Sequence, residues 1–294
     1  MPSLKEVRTR IASVNSTSQI TSAMKMVAAS KLRRAQMAIV NMRPYAKKLN
    51  EILQNVTSSL DDGDENSFGE VRPVNKALIV AVTSNRGLCG AFNANIIKKA
   101  RQLLDGELSS AHSKGNVDII TIGKKATDFF SKKGYNHISS HDEFYSDLSF
   151  ENVAPLANEI LDKYTNKEYD KVIVVYNMFK NAATQLVTAE QLLPVPPSEK
   201  EDNTQMNSNY LFEPSQKEIV ESLLPSILKT QFYKTLLDSH ASEHGARMTA
   251  MQQATDNAHE MLRDLKLTYN KARQASITGE ILEIVGGAEA LKTA

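Results

Sequence analysis

The sequence predicts two long terminal helices that pair as an antiparallel coiled coil, with a small α/β domain inserted between them. Three observations predict this fold class. A heptad repeat of apolar residues runs through residues 1–60, and a second one runs from Leu223 to Ala272. Between these repeats, short runs rich in Val and Ile alternate with helical stretches, which is the pattern of an α/β domain.

The composition is that of an ordinary folded protein. The chain has 294 residues, is 41% hydrophobic and 23% charged, and carries one cysteine, Cys89. A single cysteine excludes an internal disulfide and favours a reducing compartment. No apolar run approaches the roughly 20 residues of a membrane span, and charges interrupt the start of the chain where a signal peptide would be apolar. We therefore expect a protein that is made inside a cell and does not span a membrane.

The first predicted element is a helix over residues 1–60. Steps of three and four residues from Leu4 define the seam of a coiled coil. These seam positions are Leu4, Val7, Ile11, Val14, Ser18, Thr21, Lys25, Ala28, Leu32, Ala35, Ile39, Met42, Ala46, Leu49, Leu53, Val56 and Leu60. Pro44 predicts a kink rather than an end. Because Ser18, Thr21 and Lys25 are polar, we expect the apolar contact there to shift to Ile20, Met24 and Val27.

A small Rossmann-like α/β domain is predicted over residues 76–196. Lys76–Ser84, Val117–Gly123 and Lys171–Phe179 have the composition of buried parallel strands, and Thr184–Val195 indicates a further strand at an edge. Polar linkers at residues 61–75 and 197–213 flank the domain, and the second has room for another edge strand.

The last predicted element is a helix over residues 214–294. Its seam positions are Leu223, Ile227, Thr230, Lys234, Leu237, Ala241, His244, Met248, Met251, Thr255, Ala258, Leu262, Leu265, Tyr269 and Ala272. Two helices this long, at opposite ends of a chain, most simply bury their seams against each other in antiparallel order. We expect Leu32, Ile39 and Leu49 to face residues such as Leu262, Met251 and Leu237.

The apolar pattern changes again near the end of the chain. Past Ala272 the apolar residues shift to Ile277, Ile281 and Ile284. We expect this region to lie near the polar stretch around Thr21. We also expect the last turns to continue beyond the first helix and to need some other surface for their apolar sides.

A glycine-containing loop follows the first predicted strand, where α/β proteins often bind phosphate. The loop, SNRGLCGAFN, matches neither G-x-G-x-x-G nor G-x-x-x-x-G-K-[ST], and no lysine follows its glycines. We interpret it as a tight turn in which Gly87 and Gly90 provide backbone freedom, with Cys89 as a small packed side chain. No cofactor and no nucleotide are expected in this chain.

Two other sequence features suggest a metal site and nucleic-acid binding, but the surrounding sequence argues against both. HASEH, residues 240–244, matches the H-x-x-E-H pattern of inverted zinc proteases. However, His244 lies at a seam position and a slender coiled coil offers no cleft, so we expect no metal and no catalytic residue. The first 50 residues hold ten Lys or Arg and one acid, Glu6. These charges spread around the helix with almost no aromatic residues, which indicates a solvated face or one that meets an acidic protein rather than nucleic acid.

Four long motifs resemble those of one family. KEVRTRIASVNSTSQITSAMKMVAASKLRRAQ, SNRGLCGAFN, ASEHGARMTAMQQATDNAHEML and LTYNKARQASITGEILEIVGGAEAL are similar to the γ subunit of F-type ATP synthases. The resemblance implies a non-catalytic central-stalk rotor, one copy per complex. Its coiled coil would stand inside a ring of three α and three β subunits, and its middle domain and foot would meet the ε subunit and the c ring. Proton flow would turn the c ring and the rotor together, and the rotor would cycle the three catalytic β sites through different affinities.

The resemblance also implies the residues that touch the β subunits. They are Met24 and Lys25 in the first helix, and Arg273, Gln274, Thr278, Glu280 and Glu283 in the last. Lys25 and Arg273 would meet acidic loops of β, whereas Gln274 and Thr278 would hydrogen-bond to β loops in only some orientations. The apolar tip would turn in a sleeve of loops at the top of the ring.

The start of the chain directly at the first helix favours a bacterial protein, bound peripherally to the cytoplasmic side of the plasma membrane. Two alternatives come from other classes. One is a structural coiled-coil adaptor with an α/β head, and the other is a metal hydrolase built on HASEH.

Overall fold

The computed structural model describes residues 3–57, 68, 72–195 and 216–293. In chain order its helices and strands are α1 (Leu4–Thr57), β1 (Ala77–Val82), α2 (Phe92–Asp105), α3 (Ser109–His112), β2 (Val117–Ile122), α4 (Lys124–Phe130), β3 (Asn136–Ser140), α5 (Phe150–Thr165), β4 (Lys171–Phe179), β5 (Gln185–Leu193) and α6 (Gln216–Thr293). A single 3-10 turn, Glu143–Tyr145, precedes α5. The expected pair of long terminal helices around an α/β domain is confirmed. The predicted linker at residues 197–213, with its possible edge strand, lies outside the described residues, as does most of the linker at 61–75.

The chain divides into two compact units, and both long helices contribute to each. The terminal unit comprises residues 1–28 and 248–294, and the central unit comprises residues 29–247. Both long helices contain a proline: Pro44 lies within α1 and Pro225 within α6. Each helix continues past its proline, as expected for a kink rather than an end.

In the terminal unit, the start of α1 and the last part of α6 form an antiparallel pair. All eight predicted seam positions from Leu4 to Ala28 are buried or half-buried, including the polar ones. Ser18 and Thr21 are buried, and the hydroxyl oxygens of Thr21 and Thr255 lie 2.7 Å apart in a hydrogen bond. The expected shift to Ile20 and Val27 is therefore wrong, because these side chains are 60% and 58% exposed. Two hydroxyl groups that bond to each other are as compatible with the seam as apolar side chains.

The Thr21–Thr255 bond also fixes the register of the two helices. In an antiparallel pair, a step toward the N-terminus on one helix matches a step toward the C-terminus on the other. Val14, seven residues before Thr21, is therefore level with Leu262, seven residues after Thr255. The expected pairing of Leu32 with Leu262 is wrong, because Leu32 lies on the other side of Thr21. By the same offset Met251 is level with Lys25 rather than Ile39. The expected pairing of Leu49 with Leu237 lies within the central unit and stays a prediction.

Beyond Ala272 the structure confirms one expectation and contradicts another. Residues 280–289 of α6 are all exposed, so the last turns do continue without cover from the rest of the described chain. The seam itself does not shift, however. Its half-buried positions continue at Ser276 and Gly279, whereas Ile277 and Ile284 are 45% and 71% exposed.

The central unit contains a five-stranded sheet in the order β3-β2-β1-β4-β5. The first four strands are parallel and β5 is antiparallel to β4, at an edge. The three predicted parallel strands and the predicted edge strand are confirmed. The sequence did not indicate β3, whose residues NHISS include only one aliphatic side chain. It forms the opposite edge, where alternate residues are exposed.

Apolar side chains cover both faces of this sheet. On one face, Ile96 and Leu104 of α2 and Phe130 of α4 pack against β1 and β2. On the other face, α5 and α6 pack together: Ile160 comes from α5, and Leu228, Phe232 and Leu236 come from α6. In this central unit, α6 is therefore part of the core of the α/β domain as well as one helix of the coiled coil.

Gly245 allows α6 to approach the β4–β5 hairpin closely. A Cβ atom at this position would lie 3.3 Å from both the Cα and the carbonyl oxygen of Ala182 in the hairpin. That distance is tight for a carbon contact, which accounts for a glycine inside a helix of 78 residues despite its low helix propensity.

Candidate functional site

The residues that the family resemblance assigns to β contacts lie in the terminal unit at two separate levels. Met24 and Lys25 are half-buried on α1, close to Thr21. Arg273 lies 18 residues after Thr255, which puts it level with the start of α1 at Ser3. At roughly 1.5 Å per residue, Met24 and Arg273 are about 30 Å apart along the helix axis. The expectation that the two regions lie near the same part of the coiled coil is therefore wrong.

The five candidates on α6 form an exposed polar surface. Arg273, Gln274, Thr278, Glu280 and Glu283 are all exposed. Of these, Glu280 has a contact within the helix, because the Ser276 hydroxyl donates to its carboxylate at 3.4 Å. These side chains can therefore change without disturbing a packed core.

Apolar side chains share this end of α6 with the polar candidates. Ile281, Leu282, Ile284 and Val285 are between 54% and 71% exposed. At 100° per residue they span well over a third of the helix circumference. A cluster of exposed aliphatic residues on one short stretch marks a contact surface more often than a solvated one.

The HASEH motif lies in the central unit, where its two histidines bond to each other. The Nε2 atoms of His240 and His244 are 3.0 Å apart. Burial, together with Lys31 and Arg247, lowers the pKa of His240 from its usual 6.5 to about 4. Burial, with His240 next in importance, lowers the pKa of His244 to about 3. Both rings are therefore neutral at pH 7, so one donates its N–H to the other.

The glutamate of the motif, Glu243, forms an ion pair with Arg247 and makes no bond to the two histidines among the described contacts. Glu243 and Arg247 form a buried ion pair, with 2.5 Å between Oε1 and Nη1. Burial raises the pKa of Glu243, and the neighbouring Arg247 opposes that rise. Among the residues that the structure describes, no three His, Cys, Asp or Glu side chains lie close enough together to hold a metal ion.

Arg247 also connects α6 to the loop between β1 and α2. Its second nitrogen, Nη2, donates to the carbonyl oxygens of Arg86 at 3.1 Å and Gly87 at 3.4 Å. A planar guanidinium carries five N–H donors in a rigid fork, so Arg247 can bond to Glu243 through Nη1 and to the loop carbonyls through Nη2. One side chain thus joins residues 160 positions apart in the sequence.

In the β1–α2 loop, which Arg247 contacts, the structure differs from the prediction in which residue has a positive φ. Gly90 has a positive φ of 59°, as expected of a glycine turn, but the second left-handed residue is Leu88, at 64°, rather than Gly87. Leu88 is also 65% exposed. A bulky residue in this conformation is uncommon, and the structure around it must keep it there. Cys89 is buried, as predicted, and accepts a hydrogen bond from Asn93 at 3.2 Å.

Protein side chains occupy the place at the strand ends where α/β proteins often bind phosphate. The first amide groups of α4 donate to nearby oxygens: Lys124 N to Asn85 Oδ1 at 3.0 Å, and Ala126 N to Thr83 Oγ1 at 2.9 Å. At Gly123, which precedes α4, a Cβ atom would lie 2.0 Å from the carbonyl oxygen of Thr83. The amides that would otherwise bind an anion therefore already have partners.

Sequence reasoning missed Arg247 and Asn85. Both are polar residues whose hydrogen-bond partners are distant in the chain. They lie within two of the family motifs, SNRGLCGAFN and ASEHGARMTAMQQATDNAHEML, but a motif does not indicate which distant groups its residues contact. The one available signal for Arg247 was its spacing of four residues from Glu243, which allows an ion pair on a helix.

Comparison with known proteins identifies the family. The profile of the family described as ATP synthase matches residues 3–291. The ATP synthase gamma chain of Cytophaga hutchinsonii is 54% identical to this chain over 99% of both sequences. The ATP synthase gamma chain of Christiangramia forsetii is 55% identical, also over 99% of both. This chain belongs to the ATP synthase gamma chain family. The gamma chain of Chlorobaculum tepidum is 46% identical over 99% of this chain and 100% of its own length.

Solved structures share this fold. A chain of the Euglena gracilis mitochondrial ATP synthase, from an assembly of OSCP, F1 and c-ring, matches with a TM-score of 0.69. It is 22% identical, over 98% of this chain and 94% of that one. A central stalk and c-ring structure of the Tetrahymena thermophila mitochondrial ATP synthase gives a TM-score of 0.58 at 26% identity, over 80% of this chain and 99% of that one. Within the described residues of the present chain, no helix is both long enough and apolar enough to cross a bilayer.

Proposed function

We propose that this chain is the central-stalk rotor of a proton-translocating F-type ATP synthase. It would couple rotation of the membrane c ring to conformational cycling of the three catalytic β sites. The observation that supports this proposal most directly is the paired terminal helices, from which the last part of α6 projects with an exposed apolar surface. Membership of the gamma chain family supplies the context.

A rotor needs stiffness. Each elementary charge that crosses about 100 mV releases roughly 2.3 kcal/mol, so a few ions per step put on the order of 10 kcal/mol on the stalk. Two helices that bury a shared seam resist bending better than one helix alone. The Arg247 bridge and the packing of α6 into the domain core further stiffen the central unit.

A rotor also needs asymmetry. Three equivalent catalytic sites respond differently to one chain only if that chain touches them differently, because a ligand shifts an equilibrium only by its differential contact. We propose that Arg273, Gln274, Thr278, Glu280 and Glu283 form one such contact with the β subunits, and that Met24 and Lys25 form a second contact, nearer the c ring. Lys25 and Arg273 would meet acidic loops of β. Each contact is individually weak, because a strong one would trap a single orientation.

The chain itself would bind no nucleotide. The first amide groups of α4, at the ends of the strands, already donate to Asn85 and Thr83, which supports this part of the proposal. The ε subunit and the c ring would meet the middle domain and the lower part of the coiled coil, with one rotor per complex. The rotor would lie peripherally at the cytoplasmic side of a bacterial plasma membrane. Calorimetry of the isolated chain with ATP should show no tight binding, and a tight site would contradict this part.

Subunit composition tests the proposal first. A rotor must purify with the α and β subunits from cells that express a tagged chain. A structural coiled-coil adaptor with an α/β head, the alternative from another class, would purify without them.

The contact residues are tested in the assembled complex. The double variant Arg273→Ala, Gln274→Ala should leave assembly unchanged and lower the rate of coupled ATP synthesis, because both side chains are exposed and outside any core. The matched control is Lys271→Ala, which removes another exposed positive charge from a different side of the same helical turn. Normal synthesis in the double variant would remove these two residues from the mechanism.

A further inference from the structure

The end of the edge strand β3 carries a serine, a histidine and a glutamate that are joined by hydrogen bonds. Ser139 Oγ lies 3.3 Å from His141 Nε2, and His141 Nδ1 lies 3.3 Å from Glu143 Oε1. Each ring nitrogen of His141 therefore has its own partner. When Nδ1 carries the proton and donates to the carboxylate, Nε2 is the nitrogen that accepts the proton of the serine hydroxyl.

This arrangement of partners around the imidazole is that of a nucleophilic serine. In hydrolases that use a serine, a histidine and an acid, the nucleophilic hydroxyl lies at Nε2 and the acid lies at Nδ1, where it orients the ring. Such groups are recognised by their geometry rather than by their order in the chain, and their hydrogen bonds often tighten only when substrate binds. Here the spacing S-x-H-x-E places all three side chains within residues 139–143.

The histidine of this group is held by the core of the α/β domain. Its backbone N–H donates to the carbonyl oxygen of Thr121 on β2 at 2.9 Å. The His141 ring stacks on Phe144, with 5.2 Å between centroids and 16° between planes, and Phe144 is buried. The imidazole is therefore positioned by buried groups, although it is itself partly open to solvent.

The residue after Ser139 supplies a backbone donor beside the hydroxyl. Ser140 pairs with Thr121 in the register of β3 and β2, and the next N–H along β3, that of His141, bonds to Thr121. Because successive N–H groups point to opposite sides of a strand, the Ser140 N–H points away from β2, toward the free side of this edge of the described sheet. In α/β-hydrolases the N–H of the residue after the nucleophile forms part of the oxyanion hole.

We propose that Ser139 is a nucleophile that hydrolyses small carboxylic esters, with His141 as its base and Glu143 as the group that orients His141. The site lies at the carboxyl end of a parallel strand, where open α/β sheets bind ligands. The Glu143 side chain is 66% exposed, so the site is open to solvent and offers little surface for binding a large substrate. Small, activated esters are therefore the class of substrate that fits.

The proposed reaction consumes one ester and one water molecule and releases one acid and one alcohol. Ser139 Oγ forms a bond to the ester carbonyl carbon, and its proton passes to His141 Nε2. The bond from that carbon to the alcohol oxygen then breaks, and the alcohol leaves with the proton. A water molecule attacks the acyl-serine and gives a proton to His141, and the acid is released as that proton returns to Ser139. This reaction is independent of the proposed rotary function.

A fluorophosphonate probe tests the nucleophile directly, because such a probe forms a covalent bond with an activated serine hydroxyl. In the purified full chain it should label Ser139, as located by mass spectrometry of peptides. Ser139→Ala should lose the label. Ser140→Ala is the matched control, since it removes an exposed neighbouring hydroxyl but keeps the backbone N–H, and it should keep the label. No label on Ser139, under conditions that fully label a known serine hydrolase, would overturn the proposal.

Further variants test the base and the orienting group. His141→Gln should slow labelling by about 100-fold, because a general base typically contributes roughly 10²–10⁴-fold. An unchanged rate would show that the hydroxyl reacts without its base and would overturn the proposal. Glu143→Gln should also slow labelling, and Glu143→Asp should restore part of the rate because it restores the negative charge. Equal rates in the two Glu143 variants would contradict the orienting role.

Hydrolysis itself is measured with p-nitrophenyl acetate, whose alcohol absorbs visible light after release. Circular dichroism of every variant should match that of the wild type, since Ser139 and His141 are only half-buried and Glu143 is exposed. The wild-type chain should hydrolyse the ester faster than Ser139→Ala purified in the same way. Equal rates would contradict an esterase site.

Discussion

Thr21 and Thr255 share a buried hydrogen bond across the two helices of the terminal unit, with 2.7 Å between their hydroxyl oxygens. Each hydroxyl also lies close to a carbonyl oxygen of its own helix: Thr21 to Ser18 at 3.1 Å, and Thr255 to Met251 at 2.8 Å. The pair is therefore fully satisfied within the seam. This arrangement places a polar layer where the sequence suggested a displaced apolar one.

We expect the two threonines to be strongly coupled in stability. Either Thr21→Val or Thr255→Val should lower the free energy of unfolding by about 0.5–1.5 kcal/mol, because each removes one partner of a buried bond. The double variant should cost less than the sum, since valine has a similar shape and leaves no hydroxyl behind. Chemical denaturation measures all three. Ser16→Ala, which removes an exposed hydroxyl from the same helix, is the control and should have little effect.

A second prediction concerns the seam of the central unit. Leu32 is buried, at 6% exposure, so Leu32→Ala should lower the free energy of unfolding by about 2–4 kcal/mol through lost burial and a residual cavity. Met37→Ala on the same helix is the control, because its side chain is 59% exposed. Equal effects of the two substitutions in a denaturant titration would be incompatible with the seam described here.

The Glu243–Arg247 ion pair predicts a pH-dependent loss of stability when it is broken. Arg247→Met should cost about 3–5 kcal/mol near pH 7, because it leaves a buried carboxylate without its counter-charge. Loss of Arg247 should raise the pKa of Glu243 further above its unfolded value. The cost should then be largest above this raised folded pKa, and it should shrink as pH falls toward the unfolded value and the buried carboxyl group takes up a proton.

The matching control adds Glu243→Gln to the Arg247→Met variant. This second substitution removes the buried charge, so it should abolish the pH-dependent part of the cost while the lost bonds to Arg86 and Gly87 remain. A cost of Arg247→Met that is the same from about pH 4 to about pH 8 would show that the buried charge is not responsible.

The neutral histidine pair predicts a separate acid sensitivity. The folded pKa values of His240 and His244, about 4 and about 3, lie below the usual value of 6.5 that the unfolded chain has. The unfolded state therefore binds more protons than the folded state between about pH 6.5 and 4, and stability should fall as pH falls through that range. The double variant His240→Gln, His244→Gln should flatten this dependence. NMR titration of the native wild-type chain provides the direct measurement, and normal titration of both rings near pH 6.5 would refute it.

Gly123 offers a prediction about backbone geometry. Gly123→Ala should be strongly destabilising, because its φ is 100° and the new Cβ would lie 2.0 Å from the carbonyl oxygen of Thr83. Gly134→Ala is the matched control: its φ is 74°, but among the described residues, apart from its chain neighbours, no atom lies within 4 Å of the place that an alanine Cβ would take. The control should cost only the conformational strain of about 1–2 kcal/mol. Thermal unfolding of both variants would show whether steric contact or φ alone decides the effect.

The heptad repeats predicted which residues are buried more reliably than which residues meet. Every described side chain at a seam position from Leu4 to Leu49 is buried or half-buried. The pairing between helices was wrong, because a pattern that repeats every seven residues looks the same after a shift of seven. One specific contact, Thr21 with Thr255, decides between the possible registers. Such a contact joins two polar residues that periodicity alone treats as interruptions.

Other features were hidden for different physical reasons. β3 was missed because an edge strand of polar residues has neither an apolar run nor strong alternation of apolar side chains. The bridge from Arg247 to the β1–α2 loop was missed because its acceptors are backbone carbonyls, which every residue possesses and no motif marks. Conversely, the three inner parallel strands, β1, β2 and β4, were recognised correctly, since their burial on both faces requires continuous Val and Ile runs.

The contribution of α6 to the sheet core has a consequence for how the protein is made. Leu228, Phe232 and Leu236 cover a face of the sheet whose last strand ends at Leu193. During synthesis, the ribosome completes all five strands before it reaches these three residues. At a translation rate of roughly 5–20 residues per second, that face of the sheet stays uncovered by α6 for several seconds. For those seconds the nascent chain presents an apolar sheet surface, which is the kind of surface that chaperones bind. We therefore expect newly made chains to need protection until α6 has left the ribosome.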